Sequence, residues 1–308
     1  MAQETSHCET AGDSAYERPA PDLFDRLEEY VDPKWIFVLP AVLYAAILVV
    51  IPMIDLFALS FTGHSGFSLA NYEQMVTDSN FHAIIVNTIM FVMPSTAIEL
   101  ILGVALALAF YRDFPFKERV QTLFLIPMVL SPFAVGMMFR WFFDSSLGIV
   151  NYLFGQAGLP RFVWLGDATL AMISIIIADV WQWTPFVFLL AYATMKSIPE
   201  SIVEAAKIDG ASRWQRFRYV VLPHIYPVLL ITALIKLIIA FKSSDKIFAM
   251  TNGGPGSATK TMTMYIYEIT FEFGNFERGA AASVLFLVLI LVIGNVFVWL
   301  LRRTDREV

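Results

Sequence analysis

SIPESIVEAAKIDGASRWQRFRYVVLP, Ser197 to Pro223, is the stretch that decides how the chain is read. It is a polar, basic insert between two long apolar runs, and its local signals describe two short helices. Ser197 with Glu200 fits a capping box, with Pro199 in the first turn, and predicts a helix running to about Asp209. Gly210 supplies the left-handed residue that ends such a helix. Ser212 with Gln215 fits a second capping box, and Pro223 is expected to close the insert.

The flanking runs set the class. The chain has 308 residues, 57% of them hydrophobic and 16% charged, with a mean hydropathy of +0.65. A soluble domain is nearer about half apolar and about a quarter charged, so a membrane protein is favoured. The net charge of -6 comes from one end, because residues 1–32 hold nine acidic and two basic residues and the remainder is near neutral. No global field argues for nucleic acid. The acidic tail is poor in core-forming residues and is expected to be disordered up to a short amphipathic helix at Leu23–Tyr30. The single cysteine, Cys8, excludes an internal disulfide and a multi-thiolate metal site. His7, His64, His82 and His224 show no ligand spacing, and no metal or cofactor is expected. No cleavable signal peptide is visible, since the first apolar run begins only near Trp35. No GxxxxGK[ST] loop is present, so the chain is not expected to hydrolyse ATP itself.

A membrane-spanning helix needs about 20 mostly apolar residues. Six segments qualify: Trp35–Phe61, His82–Tyr111, Val120–Phe143, Ala168–Met195, Tyr226–Met250 and Ala280–Leu301. The expected fold is therefore all-α and polytopic, six transmembrane helices with a helix-turn-helix between spans four and five. Residues 1–32 form a tail, 33–303 the membrane domain and 304–308 a second short tail. Lys and Arg set the orientation. Eleven basic residues fall in the loop after span two, the insert and the C-terminal tail, against three (Arg161, Lys260 and Arg278) in the opposite loops. That bias puts the insert and both termini in the cytoplasm. The longest external loop, 251–279, opens on Thr251-Asn252-Gly253-Gly254-Pro255-Gly256, a flexible turn signal, and continues into an aromatic stretch at Tyr265–Phe273 that also fits an interfacial belt.

The insert resembles the EAA loop of binding-protein-dependent ABC importers. Glu204, Ala205, Ala206, Gly210, Leu222 and Pro223 fall at the family spacing, and Val220 stands where Ile is usual. The bland alternative, a solvated hairpin between spans, does not require small residues, a glycine and a terminal Leu-Pro at fixed offsets. The likeness extends over roughly residues 35–303 and is nearest to the maltose-type, carbohydrate-uptake branch. Ile208-Asp209-Gly210-Ala211-Ser212, the Thr-x-Gly-Gly-Pro turn at Thr251–Pro255, Asn71-Tyr72 and Trp181 with Pro185 carry it. The resemblance implies a half-permease of a bacterial cytoplasmic (inner) membrane, paired with a second permease subunit. It implies two copies of an ATP-binding subunit docked below, and an extracytoplasmic binding protein delivering sugar from outside. It also implies that Glu204, Ala205, Ala206, Asp209, Gly210, Leu222 and Pro223 couple transport to ATP hydrolysis on the partner.

Small residues suit close approach of a docking helix. Trp214 and Phe217, three apart, share a face and fit either a partner pocket or a brace between the two helices. Ionisable residues within spans are functional candidates because placing them in hydrocarbon is costly. Asp179 and Lys236 are the deepest, with Glu99 a third. Around Asp179 lie Gln182, Trp183 and Phe186, whose aromatic faces and amide suit a sugar's apolar face and hydroxyl edges. The expected substrate path is Asp179, Gln182, Trp183, Phe186, Lys236 and Ser243; an internal ion pair and packing aromatics are the structural alternative. Lys236 needs a partner, either Asp179 or an anionic substrate group such as that of a sugar acid, sulfonated sugar or glycerol phosphate. An ion-coupled secondary transporter would also use intramembrane charges but would leave the insert without a purpose. An intramembrane hydrolase would need a HExxH, a GxSxG or a deep histidine, and none is found.

Overall fold

The structure is a computed structural model in which residues 33–63 and 66–304 are described. The N-terminal tail, its expected helix at Leu23–Tyr30 and residues 305–308 lie outside the described residues. The chain falls into two units, Met1–Leu56 and Phe57–Val308. The first contributes most of α1 (Pro33–Ser60), an apolar helix long enough to cross a membrane.

The second unit holds everything else. A two-residue ladder pairs β1 (Thr62–Gly63) with β2 (Gly66–Phe67), and α2 (Ala70–Thr77) follows. Asn71 donates to the carbonyl of Thr62 at 3.0 Å and Tyr72 donates to Ser60 Oγ at 2.7 Å, so the Asn-Tyr pair ties the turn to the end of α1. Then come α3 (Ser79–Phe110), α4 (Lys117–Val129), α5 (Pro132–Phe142), α6 (Ile149–Gln156) and α7 (Ala168–Lys196). The insert supplies α8 (Glu200–Ile208) and α9 (Arg213–Arg216), and a π-helical turn at Phe217–Val221 leads into α10 (Leu222–Lys242). The chain ends with α11 (Asp245–Thr251), α12 (Met262–Tyr267), a second π turn at Glu268–Glu272 and α13 (Phe276–Thr304).

Five helices among the described residues are long and apolar enough to span a membrane, and a sixth span exists if α4 and α5 count as one. Here the expectation of a continuous helix over Val120–Phe143 is corrected. α4 and α5 meet at 98° across Leu130-Ser131. Leu130 and Ser131 have ψ of 146° and 131°, and Ser131 is driven out of the helical region because it precedes Pro132. The fifth span is also shifted. It runs Arg213–Lys242 rather than Tyr226–Met250, and Ser243-Ser244 separates it from α11.

Pro223 does not close the insert as expected. Proline has no N–H to bond the carbonyl four residues back. The preceding π turn absorbs this: Leu222 N–H bonds Phe217 O, and Pro223 sits in the first turn of α10.

The helices pack through small residues, as helices do where lipid is as apolar as their side chains. A Cβ on Gly103 of α3 would lie 2.5 Å from Val187 Cγ1 on α7. A Cβ on Gly136 of α5 would lie 2.7 Å from Ala249 Cβ and 3.0 Å from Lys246 Cα on α11. One apolar core joins Phe91, Phe139, Phe241, Ile247 and Phe286, and a second, at the insert end, joins Phe110, Phe188, Met195 and Ile225.

Candidate functional site

Asp179, Gln182 and Trp183 stand at i, i+3 and i+4 on α7 and so share one face. Around that face the structure assembles a fully buried polar network. Lys236 Nζ of α10 lies 2.9 Å from Asp179 Oδ2 and 3.1 Å from Glu99 Oε1 of α3. Lys246 Nζ of α11 bonds Asp179 Oδ1 and, at 2.9 Å, Gln182 Oε1. Gln182 Nε2 donates to the carbonyl of Leu130 at 2.8 Å. That carbonyl belongs to the break between α4 and α5, where a helical partner is missing.

All five side chains are 0% exposed. Two lysines thus face two acidic side chains in one buried cluster. The network joins α3, α7, α10 and α11 to the α4–α5 break.

Asp179, Gln182 and Lys236 of the expected path therefore come together. Trp183 adds its ring face, 5.4 Å from Lys236 Nζ, and Phe186 meets Trp183 edge-on at 6.1 Å. Both rings are half-buried. Ser243 is apart from this group, at the end of α10, where its N–H bonds Ala240 O at 3.1 Å. Sequence reasoning noted Lys246 only as part of Asp245-Lys246-Ile247-Phe248, before the Gly-Gly-Pro turn, and put neither it nor Glu99 on the path. The available signal for Lys246 was its place in an apolar run, Ile247-Phe248-Ala249-Met250, just after the fifth span.

The insert projects two short helices around a tight turn. Gly210 has φ of +76°, and α8 ends at Ile208, as expected. The Ser212–Gln215 capping box forms, with Ser212 N–H to Gln215 Oε1 at 2.7 Å and Gln215 N–H to Ser212 Oγ at 3.3 Å. Arg216 Nη1 closes the turn on Ala211 O at 2.7 Å. The Ser197–Glu200 box does not form. Ser197 remains the C-cap of α7 and its hydroxyl donates to Thr194 O at 2.8 Å, while extended Pro199 precedes α8.

Glu204, Ala205 and Asp209 are exposed, Ala206 is half-buried, and Glu204 has no side-chain partner among the described residues. Ile208 is 86% and Trp214 69% exposed. Trp214 packs on Phe217 at 5.5 Å, so it braces the turn while leaving most of its own surface open.

At the other end of α11 the Thr-x-Gly-Gly-Pro turn is pinned rather than loose. Thr259 is fully buried, and its Oγ1 donates to Gly254 O at 2.8 Å. Asn87 of α3 donates to Ser257 O at 2.8 Å.

An all-α bundle with spanning helices, a buried intramembrane polar network and a protruding helical insert defines a polytopic membrane protein. Residues 99–307 match the family model described as "Binding-protein-dependent transport system inner membrane component", and the chain belongs to that family. It is 34% identical over 276 residues to a protein of Sinorhizobium fredii named as a probable ABC transporter permease, covering 87% of this chain and 89% of that one. It is 30% identical over 264 residues to the trehalose/maltose transport system permease protein MalF of Thermococcus litoralis, covering 83% and 89%. Its fold matches a solved bacterial ABC transporter involved in import of the acidic polysaccharide alginate, with a TM-score of 0.80 at 24% identity, over 90% of this chain and 99% of that one. The chain is thus a multi-pass permease component of an ABC importer, and the ion-coupled carrier is set aside.

Proposed function

We propose that this chain is one of two related permease subunits that together move a neutral carbohydrate inward across the cytoplasmic membrane. Two copies of an ATP-binding subunit dock below the pair from the cytoplasm, one of them on this insert, and both termini lie on the same side. An extracytoplasmic binding protein delivers the sugar. The observation that carries this is the insert itself: a rigidly capped turn that exposes Ile208, Trp214 and an unpartnered Glu204.

Its connections support a coupling role for Glu204, Ala205, Ala206, Asp209, Gly210, Leu222 and Pro223. The helical path is unbroken from Arg213 to Lys242, so a push on α9 moves α10 and the ammonium of Lys236. α7, which enters the insert from the other side, carries Asp179 and Gln182. Motion of the insert therefore acts on both halves of the buried network and, through Lys246, on α11.

The network also bears on the substrate. Lys236 already sits against Asp179 and Glu99, and Lys246 against Asp179 and Gln182, which favours an uncharged cargo over a sugar acid or sulfonated sugar. The trehalose/maltose relative agrees with that class. The half-buried Trp183 and Phe186 form the sugar-facing side of the path, with Asp179, Gln182 and Lys236 behind them, and Ser243 lies further along it at the end of α10.

The test is uptake into proteoliposomes holding both permeases and the ATP-binding subunit, with the binding protein and labelled maltose, trehalose, lactose or galacturonate outside. ATP-dependent accumulation of a neutral sugar is expected. Accumulation of galacturonate alone, or accumulation without ATP, would overturn the proposal.

A further inference from the structure

A cleft of about 340 Å³ opens where three segments meet: the end of α5 with the turn after it, the loop leading into α7, and the C-terminal end of α11. It shares no residue with the buried ion network. Arg140, Asp144 and Asn252 supply polar groups beside the hydroxyls of Ser145 and Thr251, and Phe143 and Val163 supply apolar wall.

Arg140, Asp144 and Asn252 each keep bonding capacity. Arg140 donates from Nη1 to Ala249 O at 3.3 Å and makes no other bond among the described residues. Asp144 accepts on Oδ1 alone, from Ser146 N–H at 2.9 Å, Ser146 Oγ at 2.8 Å and Leu147 N–H at 2.8 Å. Those bonds, that of Leu147 N–H first, hold the carboxyl below its ordinary value, so it is anionic at neutral pH. Asn252 has a left-handed backbone, φ of 50°, with its N–H tied to Ile247 O at 3.0 Å; its side-chain amide has no partner among the described residues.

Arg140 and Asp144 thus line one cleft without forming an ion pair. Guanidinium only donates, carboxylate only accepts, and a hydroxyl does both. A molecule with several hydroxyls bridges the two and reaches the amide of Asn252. A ligand anion would meet Asp144 and a ligand cation would meet Arg140. The cleft's volume lies at the lower end of the range for small-molecule sites, about 300–1,000 Å³.

We propose that this cleft is a second carbohydrate subsite, on the external face, that takes a neutral sugar ring between Arg140 and Asp144 with Asn252 as the third contact. It rests on the orientation and the substrate class proposed above. A sugar leaving the binding protein would be held here before it enters the path at Trp183 and Phe186.

The test uses the assembled transporter in nanodiscs without the binding protein. Saturation-transfer NMR measures binding of maltose, trehalose and lactose to wild type, Arg140→Gln and Asp144→Asn. Asp144→Asn keeps the Oδ1 acceptor that orders the turn, so it reports on binding even if Arg140→Gln is unstable. At least one neutral sugar is expected to bind wild type, with affinity falling about tenfold in each variant for one lost charge-assisted bond. Unchanged affinity in Asp144→Asn, or no sugar bound by wild type, overturns the subsite. Uptake on the same wild-type preparation reports separately on the importer reading: sugar import with no loss of binding in the variants refutes the subsite alone.

Discussion

Replacing Lys236 by Met removes the one cation in contact with Glu99 but leaves Asp179 paired with Lys246. Orphaning a buried charge costs about 3–5 kcal/mol, so Lys236→Met should lose that much stability. Asp179→Leu should lose at least as much, because Lys246 is then left with only the neutral amide of Gln182. Two double variants separate the network from a simple pair. Lys236→Met with Glu99→Leu removes a cation together with the carboxylate it orphans, and Asp179–Lys246 stays balanced. It should recover about 2–4 kcal/mol relative to the sum of the single losses. Lys236→Met with Asp179→Leu leaves Glu99 and Lys246 on separate helices, and should recover less. The assay is reversible unfolding of the purified subunit in graded SDS and mild detergent, where each factor of ten in the folded ratio is about 1.4 kcal/mol. Additive losses for Lys236→Met and Glu99→Leu, with coupling below about 0.5 kcal/mol, would refute the network.

Gly210→Val should impair uptake while the subunit still inserts, since a left-handed β-branched residue costs about 1–2 kcal/mol, whereas Gly210→Asn should be tolerated; equal uptake in both would remove the conformational argument. Gly136→Leu should lower the melting temperature by forcing α5 off α11, an overpacking of about 1–3 kcal/mol, and an unchanged melting curve would contradict that contact. In a Cys8→Ser background, Phe273→Cys should react with an impermeant thiol reagent in intact cells and Ser201→Cys should not. Reaction at Ser201→Cys would invert the proposed topology.

The spans were legible because about 20 apolar residues in a row have few other uses. The insert was legible because caps and a left-handed glycine act locally: Gly210 and the Ser212–Gln215 box form as their spacing requires. Ser197 failed for a local reason, since it stays in helical conformation as the C-cap of α7 and extended Pro199 precedes α8 instead. The α4–α5 break was signalled by Ser131-Pro132, but the apolar run around it outweighed one proline. Lys236 with Asp179 was foreseen as one of two pairings. Glu99 and Lys246 were not, because hydropathy marks which residues are in spans but not which helices face each other. Packing of α3 on α7 and of α5 on α11 depends on close approach at Gly103 and Gly136, which is a property of the packed bundle.

Docking of an ATP-binding chain on the insert is tested most directly by photocrosslinking from defined positions. A photoreactive amino acid at Ile208, 86% exposed at the insert's tip, is compared with one at Phe273, 70% exposed in the loop between α12 and α13, in membranes expressing the whole transporter. Crosslinking of the ATP-binding subunit from Ile208 and not from Phe273 is predicted. Its capture from Phe273 and not from Ile208 would contradict the coupling role of the insert.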